Sequence, residues 1–155
     1  MWWLATEVAR PADLRRWLGT LDQEERERAQ RFHVEADRRD YIAAHALLRA
    51  MLTFHWGLPP ASWRFSIDAG GKPAIDARLK APNIEFNLSH TRGLVAAAVG
   101  SRGAIGVDVE RIEELKADFA VAEAYFAPAE VALLKRAPAA VRPLLFFRLW
   151  TLKES

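Results

Sequence analysis

The stretch that most constrains the fold runs from Phe86 to Glu110 and reads FNLSHTRGLVAAAVGSRGAIGVDVE. Short apolar runs alternate there with turn residues, and no run is long enough for an ordinary helix. In the first, Ile84, Phe86 and Leu88 alternate with Glu85, Asn87 and Ser89, as strand side chains do when successive residues face opposite ways. The second, Leu94 to Val99, is apolar throughout, which predicts a strand covered on both faces. After the turn residues Gly100-Ser101-Arg102-Gly103, the third sets Ile105, Val107 and Val109 on one side and Gly106, Asp108 and Glu110 on the other. Together the runs predict a small antiparallel sheet.

The remaining segments supply helices to cover that sheet. Trp2 to Val8 reads as a first strand, Asp13 to Leu18 as a short helix, and the charged run up to Arg31-Phe32 as a solvated one. Glu35 to Trp56 is the clearest helix, with Tyr41, Ala44, Leu48 and Met51 forming a core-facing stripe and Gly57 a stop. At 100° per residue, Arg38, His45 and Arg49 make a basic ridge beside that stripe. The ridge suits either charges flanking a buried face or a phosphate contact. Trp63 to Ile67 reads as a strand, Asp68 to Lys72 as a turn, and Asp76 to Pro82 as a loop. Glu113 to Tyr125 and Glu130 to Lys135 follow as helices, and the last helix carries Phe146, Leu149, Trp150 and Lys153 on one side. Helices and an antiparallel sheet in separate segments predict an α+β fold.

Composition excludes several functional classes. The 155 residues carry a formal charge of only +2, with acids and bases interleaved as in Glu24-Glu25-Arg26-Glu27-Arg28, which disfavours nucleic-acid binding. The absence of cysteine removes disulfides, thiolate catalysis and cysteine zinc sites. No apolar run approaches the roughly 20 residues of a membrane span, and Met1-Trp2-Trp3-Leu4 lacks the features of a signal peptide. A cytoplasmic protein is the default expectation. His33, His45 and His55 form no HExxH pattern. Gly100, Gly103 and Gly106 are each three apart, so no dinucleotide fingerprint is present.

The chemistry gathers at the polar side of the predicted sheet. Asp108 and Glu110, two apart on a strand, would bring carboxylates about 6–7 Å apart on one face. At an effective dielectric near 20 they would repel by roughly 2–3 kcal/mol, so they need either open water or a cation. An all-oxygen set suits a hard ion such as Mg²⁺. Ser89 and His90 are adjacent and point to opposite faces, so they form no nucleophilic dyad.

Four motifs, GKP (Gly71 to Pro73), FNLSH, GVDVE and WTLKES (Trp150 to Ser155), resemble in order and spacing the 4′-phosphopantetheinyl transferases of the Sfp type, which activate carrier proteins. The likeness runs from about residue 22 to the end. It implies a pseudo-two-fold pair of similar halves, here residues 1–103 and the start of a second half at 104–155, with the chain truncated after the KES motif. It implies transfer of 4′-phosphopantetheine from coenzyme A to a serine of an acyl or peptidyl carrier protein, releasing adenosine 3′,5′-bisphosphate, by an enzyme that is monomeric when full length. The resemblance makes Asp108, Glu110 and Glu154 the Mg²⁺ ligands, and Arg39, Arg49, Lys72, Ser89 and His90 the groups holding coenzyme A. Glu154 and Lys153 become the catalytic pair, and Arg111 to Phe126 the carrier-docking segment. A non-catalytic fragment that binds coenzyme A or carriers is the alternative, ahead of a nucleic-acid-binding module.

Overall fold

The computed structural model describes residues 1–67, 72–79, 83–112 and 119–155. The chain forms two compact units, Met1–Val109 and Glu110–Ser155. The division falls just past the Asp108 carboxylate, so Asp108 belongs to the first unit and Glu110, Lys153 and Glu154 to the second. The described residues are α+β, as the segment pattern predicts.

In the first unit, strand β1 (Trp2–Ala5) is followed by helices α1 (Pro11–Thr20), α2 (Gln23–Gln30) and α3 (Glu35–Trp56). Strands β2 (Phe65–Ile67) and β3 (Pro73–Ile75) make an antiparallel hairpin, and β4 (Glu85–Thr91) and β5 (Leu94–Gly100) complete a three-stranded antiparallel sheet in the order β1-β5-β4. The central place of β5 explains its unbroken apolar run, because Val95, Ala96, Ala97 and Ala98 are all buried. Val95 packs with Ala43 and Ala44 of α3, whereas Ala96 and Ala98 pack with Val107 on the opposite face.

Local sequence accounts for the helices. Asp22 caps α2, accepting from the Glu25 amide at 3.0 Å while Glu25 accepts from the Asp22 amide at 3.0 Å, a reciprocal pair that satisfies two amides otherwise left bare. Helix α3 buries the expected Ala44, Leu48 and Met51 and ends at Gly57, whose φ of 81° is open to glycine at little cost. A second glycine is equally constrained. Gly93, in the turn joining β4 to β5, has a φ of 86°, and a side chain there would strike Glu7 at 2.6 Å.

The third apolar run departs from expectation. Ile105 to Val109 keeps its alternation, with Val107 buried against Ala96 and Ala98 and flanked by Ile105 and Val109, but it joins no strand ladder among the described residues. Side chains of β4 replace the ladder: the Val107 amide donates to Asn87 Oδ1 at 3.1 Å and the Val109 amide to Ser89 Oγ at 3.1 Å. The first strand also ends at Ala5, short of the expected Val8, and the segment read as a strand from Trp63 begins its ladder at Phe65, with Trp63 fully buried in the core before it.

In the second unit, α4 (Phe119–Tyr125), α5 (Pro128–Arg136) and α6 (Arg142–Glu154) enclose a core of Ala122, Phe126, Leu134, Phe146 and Phe147. The 68–71 part of the expected turn, the 80–82 part of the expected loop, and residues 113–118 of the expected helix and docking segment lie outside the described residues. Among the described residues no helix is long and apolar enough to cross a membrane.

Candidate functional site

Asp108 is the focus of the first unit's polar edge. On β4, Asn87 pairs with Ala98 and Ser89 with Ala96, so both side chains share the face against which Val107 packs. Ser89 donates its hydroxyl proton to Asp108 Oδ1 at 2.6 Å. The other carboxylate oxygen, Oδ2, is buried and has no hydrogen-bond partner. Leaving a buried acceptor unpaired costs about 1–3 kcal/mol, and more when it is charged. A hard divalent cation supplies the partner such an oxygen lacks, so Asp108 fits a Mg²⁺ ligand on its own surroundings. Among the described residues no group of three or more His, Cys, Asp or Glu side chains stands as a metal cluster.

His90 shares the face of its β5 partner Val95, towards α3, and is exposed near the strand end. That end of the sheet is fastened to α3 by Asp40, a buried carboxylate that accepts from the Thr6 hydroxyl and, at 3.0 Å, from the Gly93 amide. The adjacent Arg39 is thereby held at the same end of the fold as His90. Arg39 Nε lies 3.8 Å from Asp40 Oδ1, close enough for an ion pair but too far to donate, and is buried without a hydrogen-bond partner. An arginine with an uncommitted N–H suits a phosphate oxygen. Lys72 is half-buried immediately before β3.

Arg49 does not fit the expected phosphate contact. It is fully buried, and its guanidinium donates to Glu25 at 2.9 Å, to Asp22 at 3.0 Å, and to the carbonyls of Pro60 at 2.7 Å and Trp63 at 3.0 Å. The carboxylates that cap α2 are therefore also the counter-ions that seat it on α3. His45, from the same predicted ridge, donates through Nδ1 to Glu25 Oε1 at 2.8 Å. Burial works against ionisation of Glu25, but the His45 hydrogen bond, the His45 and Arg49 charges and the Asp22 amide outweigh it and hold the carboxyl below its ordinary range. Arg38 pairs instead with Glu35 at 3.4 Å.

Apart from the buried Glu25, the charged run of α2 is solvent-exposed, as its sequence predicts, and a basic hollow lies at its end. Arg28, Arg31 and Phe32 line it. Arg28 stands over the Tyr41 ring at 5.7 Å and Phe32 packs on that ring at 5.2 Å. Burial and the nearby Glu25 charge push the Tyr41 hydroxyl up to about 12, so the ring stays neutral. The legible signal was the spacing of Arg28 and Arg31, one helical turn apart and followed by an aromatic.

In the second unit, Lys153 is engaged locally. Its ammonium lies 2.8 Å from Glu130 Oε2 and 5.5 Å from the Phe126 ring centre. Glu130 in turn accepts from the Ala127 amide at the start of α5, and these contacts hold its carboxyl below the ordinary range, the Lys153 hydrogen bond foremost. Lys153 thus ties the end of α6 to the beginning of α5. Glu154, the last residue of α6, is exposed.

Comparison with known proteins gives consistent matches. Residues 8–102 match the family described as 4′-phosphopantetheinyl transferase, N-terminal, and residues 104–155 match the 4′-phosphopantetheinyl transferase superfamily. The 4′-phosphopantetheinyl transferase HetI of Nostoc sp. is 34% identical over 136 residues, which cover 88% of this chain and 57% of the relative. A 4′-phosphopantetheinyl transferase of Bacillus subtilis is 31% identical over 140 residues, 90% of this chain and 60% of the relative. The 4′-phosphopantetheinyl transferase Sfp of Bacillus subtilis (strain 168) is 28% identical, over the same shares. The chain therefore spans little more than half the length of these relatives.

Proposed function

Because this chain belongs to the 4′-phosphopantetheinyl transferase superfamily, we propose that it serves the transfer of 4′-phosphopantetheine from coenzyme A to a serine of an acyl or peptidyl carrier protein. Adenosine 3′,5′-bisphosphate would be released, and Mg²⁺ would be held by Asp108 with Glu110 and Glu154. The observation that carries the metal assignment is the buried, unpaired Oδ2 of Asp108. The ion, when bound, would neutralise charge gathering on the diphosphate as its P–O bond breaks.

The chain's own residues supply the rest. Arg39, His90 and Lys72 would hold the phosphates, and the hollow of Arg28 and Arg31 would offer further donors to an anionic group. Arg49 acts at one remove, by seating the helix that carries Arg28. The carrier serine attacks the phosphorus bearing the pantetheine arm, the bond to the nucleotide phosphate breaks, and the serine proton passes to Glu154 as base. Lys153 steadies the helix end from which Glu154 projects.

Incubation of the chain with coenzyme A, Mg²⁺ and an apo-carrier tests this reading by mass spectrometry of the carrier. The expected result is a phosphopantetheine adduct on the carrier serine that Asp108→Ala abolishes. Because the chain covers 57–60% of its relatives, a second reading is binding of coenzyme A without turnover. Saturable coenzyme A binding with no adduct would select that reading. Neither binding nor adduct would reject both.

A further inference from the structure

Asp40 is a carboxylate only 3% exposed, and neither the metal reading nor the phosphate reading uses it. Its two oxygens bring three segments together. Oδ1 accepts from the Thr6 hydroxyl just past β1, Oδ2 accepts from the Gly93 amide at 3.0 Å in the β4–β5 turn, and Arg39 Nε stands 3.8 Å from Oδ1. Gly93 is held through its carbonyl as well, which accepts from the Thr6 amide at 2.8 Å. An apolar side chain would fill the same space without the cost of burying an ion, so what the carboxylate adds is direction. The register of α3 on the sheet shows what it directs. Arg39 and Ala43 are one helical turn apart, as are Asp40 and Ala44. Ala43 and Ala44 pack on Val95, and Val95 is the strand partner of His90. Arg39 and His90 therefore stand at one end of the same helix–sheet contact. Asp40 joins their supports, as the chain neighbour of Arg39 and the bonded partner of the turn that begins just past His90.

We propose that Asp40 is a positioning residue for Arg39 and His90, fixing their separation so that one phosphate group of coenzyme A meets both. The inference rests on the reading of Arg39 and His90 as phosphate contacts and goes beyond it by naming the buried group that sets their spacing. Electrostatics makes the idea sharp. A negative charge beside a phosphate site repels the ligand, so on charge alone its removal would tighten binding. Positioning gives the opposite sign. Without an acceptor at residue 40 the Gly93 amide loses its partner, the turn drifts from α3, and His90 no longer meets the phosphate that Arg39 holds.

The test measures coenzyme A binding to the full chain by ligand-observed NMR with Mg²⁺ present, in the parent, Asp40→Leu, Asp40→Asn and His90→Ala. Asp40→Leu keeps the branched shape but leaves the Gly93 amide without an acceptor. Asp40→Asn removes the charge yet keeps an oxygen for that amide, while the Thr6 hydroxyl turns to accept from the new NH₂ group. The expected result is a loss of about 10-fold or more in Asp40→Leu, as for other misplaced binding groups, and affinity at or above the parent's in Asp40→Asn. In a His90→Ala background the further loss from Asp40→Leu falls to about 3-fold or less, because the two residues act as one. The Gly93 amide exchanges faster in Asp40→Leu while the Ala96 and Ala97 amides of β5 keep their protection. If Asp40→Leu fails to fold, Asp40→Ser, whose hydroxyl is too short to reach that amide, carries the same expectations. Parental affinity in the folded variant, an equal loss in Asp40→Asn, or an undiminished loss in the His90→Ala background overturns the proposal and leaves the phosphate reading standing. No binding by the parent, or parental affinity in His90→Ala, overturns the phosphate reading and this inference with it.

Discussion

Arg49 sits at the centre of the first unit, wrapped by carboxylates and carbonyls, whereas the second unit is centred on Phe146, which contacts Phe126 at 5.3 Å between ring centres and Phe147 at 5.3 Å, and stacks on Trp150 at 6.1 Å. Among the described residues every buried polar or charged side chain, namely Thr6, Glu25, Asp40, Arg49 and Asp76, belongs to the first unit. Buried charge is costly to desolvate and gains back only when every partner is in place. It therefore fixes geometry: Asp22 and Glu25 reach Arg49 in one arrangement of α2 on α3, and Asp40 reaches Gly93 in one placement of the β4–β5 turn. An aromatic core tolerates more repacking. The unit that carries Asp108, Arg39 and His90 is the one whose side chains are held by directional bonds, as a binding site requires.

That contrast is broken most readily at Arg49. Arg49→Met removes the arginine counter-ion of Asp22 and Glu25, leaving only His45 beside Glu25, and equilibrium urea unfolding should show a loss of about 3–5 kcal/mol in the first unit. A loss below about 1 kcal/mol would mean that the buried network does not organise it. Phe146→Ala is the matching cut in the second unit. It should cost about 3 kcal/mol through lost contacts and the cavity left behind, with the near-ultraviolet signal of the first unit unchanged.

Gly93→Ala should cost about 1–2 kcal/mol in thermal unfolding, since alanine resists the left-handed backbone there, while Gly19→Ala, in open space within α1, should not destabilise. Acid offers a gentler probe. Because the Glu25 carboxyl is depressed in the folded state, it lends stability above its unfolded pKa and loses that contribution as pH falls through the folded one. Amide exchange in α2 should therefore accelerate from about pH 4 downward, and Glu25→Gln should flatten that dependence. The smallest effect is expected from Lys153→Met. Its partly exposed pair with Glu130 contributes little to stability, so the unfolding midpoint of the second unit should scarcely move while transfer activity falls if the seat of Glu154 matters.

Local pattern made much of this legible. The buried β5, the α3 stripe and its glycine stop, and the opposite facing of Ser89 and His90 all follow from period and punctuation along the chain. Arg49 misled because helical spacing places it on a ridge with Arg38 and His45, and nothing local reveals that Asp22 and Glu25 arrive from another helix to neutralise it. The Ile105–Val109 run misled in a related way: alternation reports which side is buried, but not whether the amides bond to backbone or to Asn87 and Ser89. Arg28 and Arg31 are exposed, as the charged run predicts; what the sequence does not reveal is that the packing of α2 on α3 brings Tyr41 beneath Arg28.

The most direct test of the metal assignment is anomalous diffraction from crystals of the chain soaked with Mn²⁺ and coenzyme A. The predicted result is a manganese peak at inner-sphere distance, about 2 Å, from Asp108 Oδ2. A well-occupied manganese peak that leaves Asp108 Oδ2 unliganded, or a fully bound coenzyme A diphosphate with no metal beside that oxygen, would contradict it.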